Sequence, residues 1–360
     1  MVHVLLGLAV FFAVVGQKNK YIQRTAFVVL FGFAALRFMY GNDYYNYYRW
    51  FNHIHAGRPS GFKTEVLYNL LNRYLPSFPV LVALSSLLLI IVVARLICKN
   101  LPVNYSWIGI CIFVISPALF LMNLSALRQS IAICFFVIAV NCACKKKYLW
   151  YLVWVVVAAL FHKSAILLLP FCLLATPKPV KPVACWGIIL GTLLLLMSSG
   201  LLLDIVVWVA EQFGDKNYIY MAEQDMQNSI RATLLTSVFF FYVVLNLPNL
   251  EGKALIYAKI YMISPLLGVL AREISMLTRI QMYFDIFAVV ALPSIFMATK
   301  ARGPVIVNRR NVLITFWDCL NKYAFPPVII LIYLLRYYSF FTNPEWEAFF
   351  TYRTIFMLLK

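Results

Sequence analysis

Charged side chains are scarce in this chain. Asp, Glu, Lys and Arg together make up 12% of its 360 residues, about half the share found in a soluble domain. Acids are the rarer kind, with 13 Asp and Glu against 31 Lys and Arg. No Gly-rich phosphate loop, zinc-ligand spacing or nucleic-acid-binding module appears. These absences exclude P-loop nucleotide enzymes, zinc-ligand domains and the familiar nucleic-acid readers. No internal repeat recurs, and no inverted half-repeat of the transporter kind is visible. No stretch of balanced polar composition sets off a separate soluble domain.

Apolar residues fill the chain instead, at 63%. They recur in runs long enough to span a bilayer, which takes about 20 residues. Inside lipid a backbone that spans in such runs must be helical to satisfy its own N–H and C=O groups. The fold class expected is therefore all-α, a polytopic integral membrane protein with about 12 transmembrane helices. The net charge of +18 then belongs to cytoplasmic loops rich in Lys and Arg rather than to a nucleic-acid surface.

Alternating the basic turns inward gives a map. Val2 to Val15 lacks the basic lead of a secretory signal and reads as an uncleaved first span with the N-terminus outside. Further spans are expected at 25–40, 78–98, 107–122, 129–144, 148–161, 164–176, 183–203, 232–247, 254–270, 280–298 and 324–341. Residues 1–360 form a single transmembrane domain on this map, with 41–77 and 204–231 as outside loops carrying interfacial helices. None of the eight cysteines falls in an outside loop, which suits a protein without disulfides.

The rule of basic inner loops accounts for Lys145 to Lys147, Lys178, Lys181 and the 300–310 segment. It leaves Arg37, Arg73, Arg128, Lys163, Arg272 and Arg279 in or near the outer leaflet. A charged side chain near mid-bilayer costs ~2.5–3.5 kcal/mol, so such groups point to function by default. Arginine suits phosphate, to which it donates two parallel hydrogen bonds. The competing reading is contact with lipid headgroups by snorkelling side chains. In the first outside loop, Tyr44, Tyr48, Phe51 and His55 recur at helical spacing and predict one face of an amphipathic helix at the interface. Its rings serve either as an interfacial aromatic belt or as platforms for sugars. Glu65 and Arg73 lie eight residues apart, about two helical turns, and so share a face on a continuous helix.

These residues form a series. Arg37 is followed by Gly41-Asn42-Asp43-Tyr44, then Glu65-x-x-Tyr68, Leu127-Arg128-Gln129, Phe161-His162-Lys163-Ser164 and Arg279-x-x-x-Tyr283. Their order and topology resemble the EpsG family, which includes Wzy-type polymerases of O-antigen, capsule and exopolysaccharide. The likeness covers about residues 35–285. Leu-Arg-Gln and Phe-His-x-Ser, on the ends of one hairpin, are its strongest pair. The 183–270 region carries no recognisable motif, and Asn343 to Tyr352 resembles the family's ending only loosely.

The resemblance implies a GT-C-like glycosyltransferase in the bacterial inner membrane, active at its periplasmic face. Its substrates would be glycans on undecaprenyl pyrophosphate. Its other partners would be membrane lipids and a chain-length regulator protein, with no nucleic acid. No cofactor, metal or nucleotide sugar is implied. Arg128, Arg272 and Arg279 would hold the donor pyrophosphate. Arg37, Tyr44, Tyr68, Arg73, Gln129, Lys163 and Tyr283 would complete the substrate site. The general base would be Asp43, Glu65 or His162. Of these, imidazole is the side-chain type that changes charge nearest neutral pH. Two other readings remain open, a flippase or other transporter of lipid-linked oligosaccharide, and an O-antigen ligase-like transferase or acyltransferase. A transporter would carry ionisable groups at the bilayer midplane. Here they gather toward the outer end, with Lys259 and Arg336 as the exceptions.

Overall fold

Helix follows apolar run almost everywhere, because lipid leaves a backbone no partner but itself. The computed structural model describes residues 1–58, 65–197, 230–271, 277–301 and 319–358. Contacts divide the chain into two units, Met1–Thr176 with Tyr333–Lys360, and Pro177–Ile332. The first unit contains α1 (Val2–Val15), α2 (Lys20–Ala35), β1 (Arg37–Phe38), α3 (Tyr44–His55), α4 (Val66–Tyr74) and α5 (Phe78–Asn100). It continues with α6 (Val103–Ile115), α7 (Leu121–Ser125), α8 (Leu127–Ala143), α9 (Tyr148–Phe161) and a 3-10 run, Lys163–Leu173. The second contains α10 (Pro182–Met197), α11 (Ile230–Asn246), α12 (Gly252–Leu270), α13 (Leu277–Asp285) and α14 (Ala288–Ala301). The sequence boundary falls within α15 (Phe325–Thr342). The C-terminal β2 (Arg353–Thr354) pairs antiparallel with β1, Arg37 opposite Thr354 and Phe38 opposite Arg353.

Local chemistry sets the element ends. The Asn19 side chain caps α2, accepting the Tyr21 N–H at 2.9 Å, as a helix N-terminus requires. Proline opens α5 and α10, where its missing N–H is harmless. The α8–α9 hairpin turns on three lysines, Lys146 adopting a left-handed φ of 60°. Polar side chains inside the helices turn back on their own backbone. Ser85 and Ser86 donate to the carbonyls of Leu81 and Val82 at 2.8 and 2.7 Å, so neither hydroxyl is left bare in an apolar surrounding.

Central and peripheral helices differ. α8 is buried along most of its length. α9 exposes Leu149, Trp150, Val153 and Val156, and α15 exposes Ile330, Leu331 and Leu334. Apolar faces of this kind suit lipid. Phe78–Asn100, Gly252–Leu270 and Leu320–Thr342 are long and apolar enough to cross a membrane. A fourth joins them if α13 and α14, bent by 55°, count as one span. The other apolar helices among the described residues are shorter.

Within the described residues, which leave out 198–203, helix lies under part or all of each expected span, and two begin and end where expected, Val2–Val15 and Tyr148–Phe161. The second expected span differs. Its helix ends at Ala35 rather than Tyr40, because the backbone of residues 37–38 is taken into the pairing with 353–354. That pairing also puts the C-terminal segment at the α2 end that leads into α3. In the second unit, Asn246 and Asn321 exchange amide hydrogen bonds at 2.8 and 2.6 Å. Lys259 donates its ammonium to the Lys178 carbonyl at 2.7 Å, and Ser264 donates to Asp285 at the α13–α14 break. The expected 204–231 loop lies outside the described residues up to Ser229, as do Arg302 and residues 303–310.

Candidate functional site

Three segments of the first unit meet at one end of its helices. Arg128 is the second residue of α8 and His162 the residue that ends α9. Antiparallel pairing of these helices brings the two together. His162 leaves the helix with extended backbone, φ −151° and ψ 112°. Glu65 precedes α4, and its carbonyl accepts the Asn69 N–H at 3.0 Å. Its carboxylate bridges the hairpin ends. Oε1 receives His162 Nδ1 at 3.0 Å, and Oε2 receives Arg128 Nη1. Arg128 also donates Nε–H to the Tyr47 hydroxyl at 3.4 Å, with its guanidinium 5.7 Å from the centre of that ring.

Burial gives this cluster its electrostatic character. The Glu65 side chain is 4% exposed, against 20% for Arg128 and 13% for His162. The acid is therefore sealed in, while its two partners reach the surface. Burial pushes the Glu65 carboxyl up, but the His162 hydrogen bond and the Arg128 charge outweigh it and hold the group below its ordinary value. Glu65 stays a carboxylate, with an oxygen engaged by each partner. A carboxylate only accepts hydrogen bonds, so His162 Nδ1 carries the proton. In neutral imidazole that leaves Nε2 as the acceptor. Burial raises the Tyr47 hydroxyl, against the pull of the Arg128 charge, so this phenol stays neutral. At α8's first turn, the guanidinium also stands at the positive end of a helix dipole.

The other expected site residues fall in several places. Asp43 is exposed at the start of α3, one turn before Tyr47. Its N–H donates to Ser125 Oγ at 3.0 Å. Tyr68 is buried in α4, its ring edge-on to Tyr47 at 6.0 Å. Gln129 is buried beside Arg128, and Lys163 is exposed beside His162. Arg73 is exposed in the last turn of α4, while Glu65 faces inward to Arg128 and His162.

Arg37 is 1% exposed. It donates to the carbonyls of Ala34 and of Leu124 (2.9 Å) and to Ser86 Oγ (2.7 Å). These contacts tie α2, α5 and α7 together. Tyr44 is buried and donates to the Arg37 carbonyl at 3.4 Å. In the second unit Arg279 is exposed and Tyr283 buried on α13. Arg272 lies outside the described residues.

Tyr47 was not among the residues singled out by spacing. The amphipathic helix forms over the expected stretch, but its buried face is Tyr44, Tyr47 and Phe51, with Tyr48 37% exposed. Spacings of three and four both fit a helical face. The signal that separates them is Arg128, which takes the Tyr47 hydroxyl. Among the described residues, no three His, Cys, Asp or Glu side chains gather as metal ligands would.

Fold and site together define a helical, membrane-embedded protein with an Arg–Glu–His cluster at one end of its first unit. The EpsG family model matches residues 20–354. The chain belongs to the EpsG family, which is associated with polysaccharide polymerase-like proteins. No curated protein and no solved structure matches it.

Proposed function

We propose that this chain is a Wzy-type polysaccharide polymerase, a glycosyltransferase that joins oligosaccharide repeat units carried on undecaprenyl pyrophosphate. The observation that carries this reading is the Glu65 carboxylate, holding a partly exposed guanidinium and an imidazole side by side. An acceptor sugar hydroxyl attacks the anomeric carbon of the donor glycan. The bond from that carbon to the pyrophosphate oxygen breaks, and undecaprenyl pyrophosphate leaves. His162 Nε2 takes the hydroxyl proton, and the imidazolium so formed rests against Glu65. Arg128, at the positive end of α8, binds the pyrophosphate and stabilises the charge that develops on it. Lys163 adds positive charge at the same end. Glu65 is thus the residue that orients the base and the arginine, and His162 is the base. Asp43, on the rim one turn from Tyr47, binds acceptor hydroxyls.

We place this site at the periplasmic face of the inner membrane, on about twelve spans arranged in a GT-C-like manner. The β1–β2 pairing supports the map, because it requires an even number of crossings between residue 38 and residue 353. The expected map has ten. Incubation of the purified chain with a purified lipid-linked repeat unit, and no other enzyme, tests the proposal. Lipid-linked oligomers form if the chain is the polymerase, and Arg128→Ala stops them. A flippase leaves the repeat unit unchanged.

A further inference from the structure

The C-terminal end of the chain folds back beside the site. Residues 343–358 cross the stretch that joins α2 to α3 and bond to it at several points. Arg353–Thr354 pairs with Arg37–Phe38. The Ile355 N–H donates to the Leu36 carbonyl at 3.0 Å, and the Gly41 N–H to the Ala348 carbonyl at 3.2 Å. Asn42 Nδ2 donates to the Glu345 carbonyl at 3.1 Å. Tyr352 donates its hydroxyl to the Phe33 carbonyl at 2.7 Å and stacks on the Phe33 ring with centroids 4.5 Å apart. Phe33, Phe349 and Tyr352 enclose the fully buried Tyr40 ring, each centroid 5.4 Å away.

What the strap holds leads to Arg128 by two routes. Along the chain, residues 37–43 run into α3, whose Tyr47 takes the Arg128 Nε–H. Across space, Arg37 donates to the Leu124 carbonyl and the Asp43 N–H to Ser125 Oγ. Leu124 and Ser125 end α7, three residues before Arg128. Close packing joins the routes. Gly41 has a φ of 97°, and a Cβ there would lie 3.1 Å from Ser125 Cβ and 3.4 Å from Phe349 Cε1.

We propose that the strap, residues 343–358, is a positioning element of the transfer site, and that Tyr352 fixes Arg128 through the 37–43 turn and Ser125. The inference rests on the reading of Arg128 as the pyrophosphate-binding residue. It gives the C-terminal segment a part in substrate binding, although none of its residues is placed on the substrate. A displacement of about an ångström at a transfer site costs up to about a hundredfold in rate, and a charged hydrogen bond to the ligand lost with it weakens binding. The strap is held by a few hydrogen bonds and aromatic contacts, so it can be loosened one contact at a time.

A double-mutant cycle tests this with binding alone. The probe is undecaprenyl pyrophosphate, and the readout its affinity for the purified full-length protein in detergent. Tyr352→Phe keeps the stacked ring and loses only the bond to the Phe33 carbonyl. A chain ending at Thr342 removes the strap. Tyr352→Phe should weaken binding roughly threefold to tenfold, and the shortened chain at least about tenfold. In an Arg128→Ala background neither change should weaken it further, because the strap acts through that arginine. Equal losses in both backgrounds, or wild-type affinity in both strap variants, overturn the proposal. If the shortened chain does not fold, the Tyr352→Phe arm decides alone. Wild-type affinity in Arg128→Ala itself refutes the underlying site reading, a different result from failure of the strap.

Discussion

Replacing Glu65 by Gln removes the charge that holds Arg128 and His162 while keeping the shape. The Glu65 side chain is 4% exposed and accepts from both neighbours. Gln offers one oxygen, and its NH2 must face the second donor. Removing one partner of a buried ion pair costs ~3–5 kcal/mol. The Arg128 side chain is 20% exposed and recovers part of its hydration, so the expected loss is about 3 kcal/mol, the low end. As folding stability, that is about a 150-fold shift in the folded-to-unfolded ratio. Glu65→Asp keeps the charge but is one methylene short of reaching both donors, and should fall between.

The pH dependence of stability has a definite sign. The Glu65 carboxyl sits below its ordinary value of 4.5 in the folded protein. Its stabilisation is therefore complete above that value and is lost as pH falls through the folded pKa. Thermal unfolding in detergent should show wild type more stable than Glu65→Gln at neutral pH, with the gap closing in acid. Wild-type turnover together with a wild-type melting midpoint in Glu65→Gln would refute the reasoning. So would a gap that persists unchanged below the folded pKa.

Three further outcomes are expected. Arg128→Lys keeps the charge but loses the planar fork, so polymer length on a gel should still fall at matched protein level. Gly41→Ala forces a φ of 97° on a side chain 3.1 Å from Ser125. It should cost about 1–3 kcal/mol and reduce the folded fraction in size-exclusion chromatography. Cysteines at 146 and 309 should label from the cytoplasm and those at 57 and 224 from outside, in a cysteine-free background. Labelling of position 57 from the cytoplasm alone would overturn the map.

Apolar helices are legible in this sequence because lipid demands continuous apolar helix, a local property. The α2 boundary was not, because the segment that stops it, Arg353–Thr354, lies at the other end of the chain. Arg128 and His162 stood out as polar groups on two ends of one hairpin. Their link, Glu65, sits in a loop whose path no periodicity fixes, so its expected neighbour was Arg73 on the same helix. Arg37 was grouped with the ligand-binding arginines by its place near the outer leaflet. Its guanidinium lies among carbonyls at the ends of α2 and α7. Sequence reports the charge but not the acceptors that gather round it.

The account stands most directly on the base. A pH–rate profile of transfer, with purified protein and lipid-linked repeat unit, compares wild type with His162→Gln. Acceptor binding is measured alongside. Loss of the acidic limb of the profile, a fall in rate of about 10²–10⁴-fold and nearly unchanged acceptor binding are predicted. Wild-type turnover in His162→Gln, with the acidic limb intact, would contradict the assignment of His162 as the group that takes the proton.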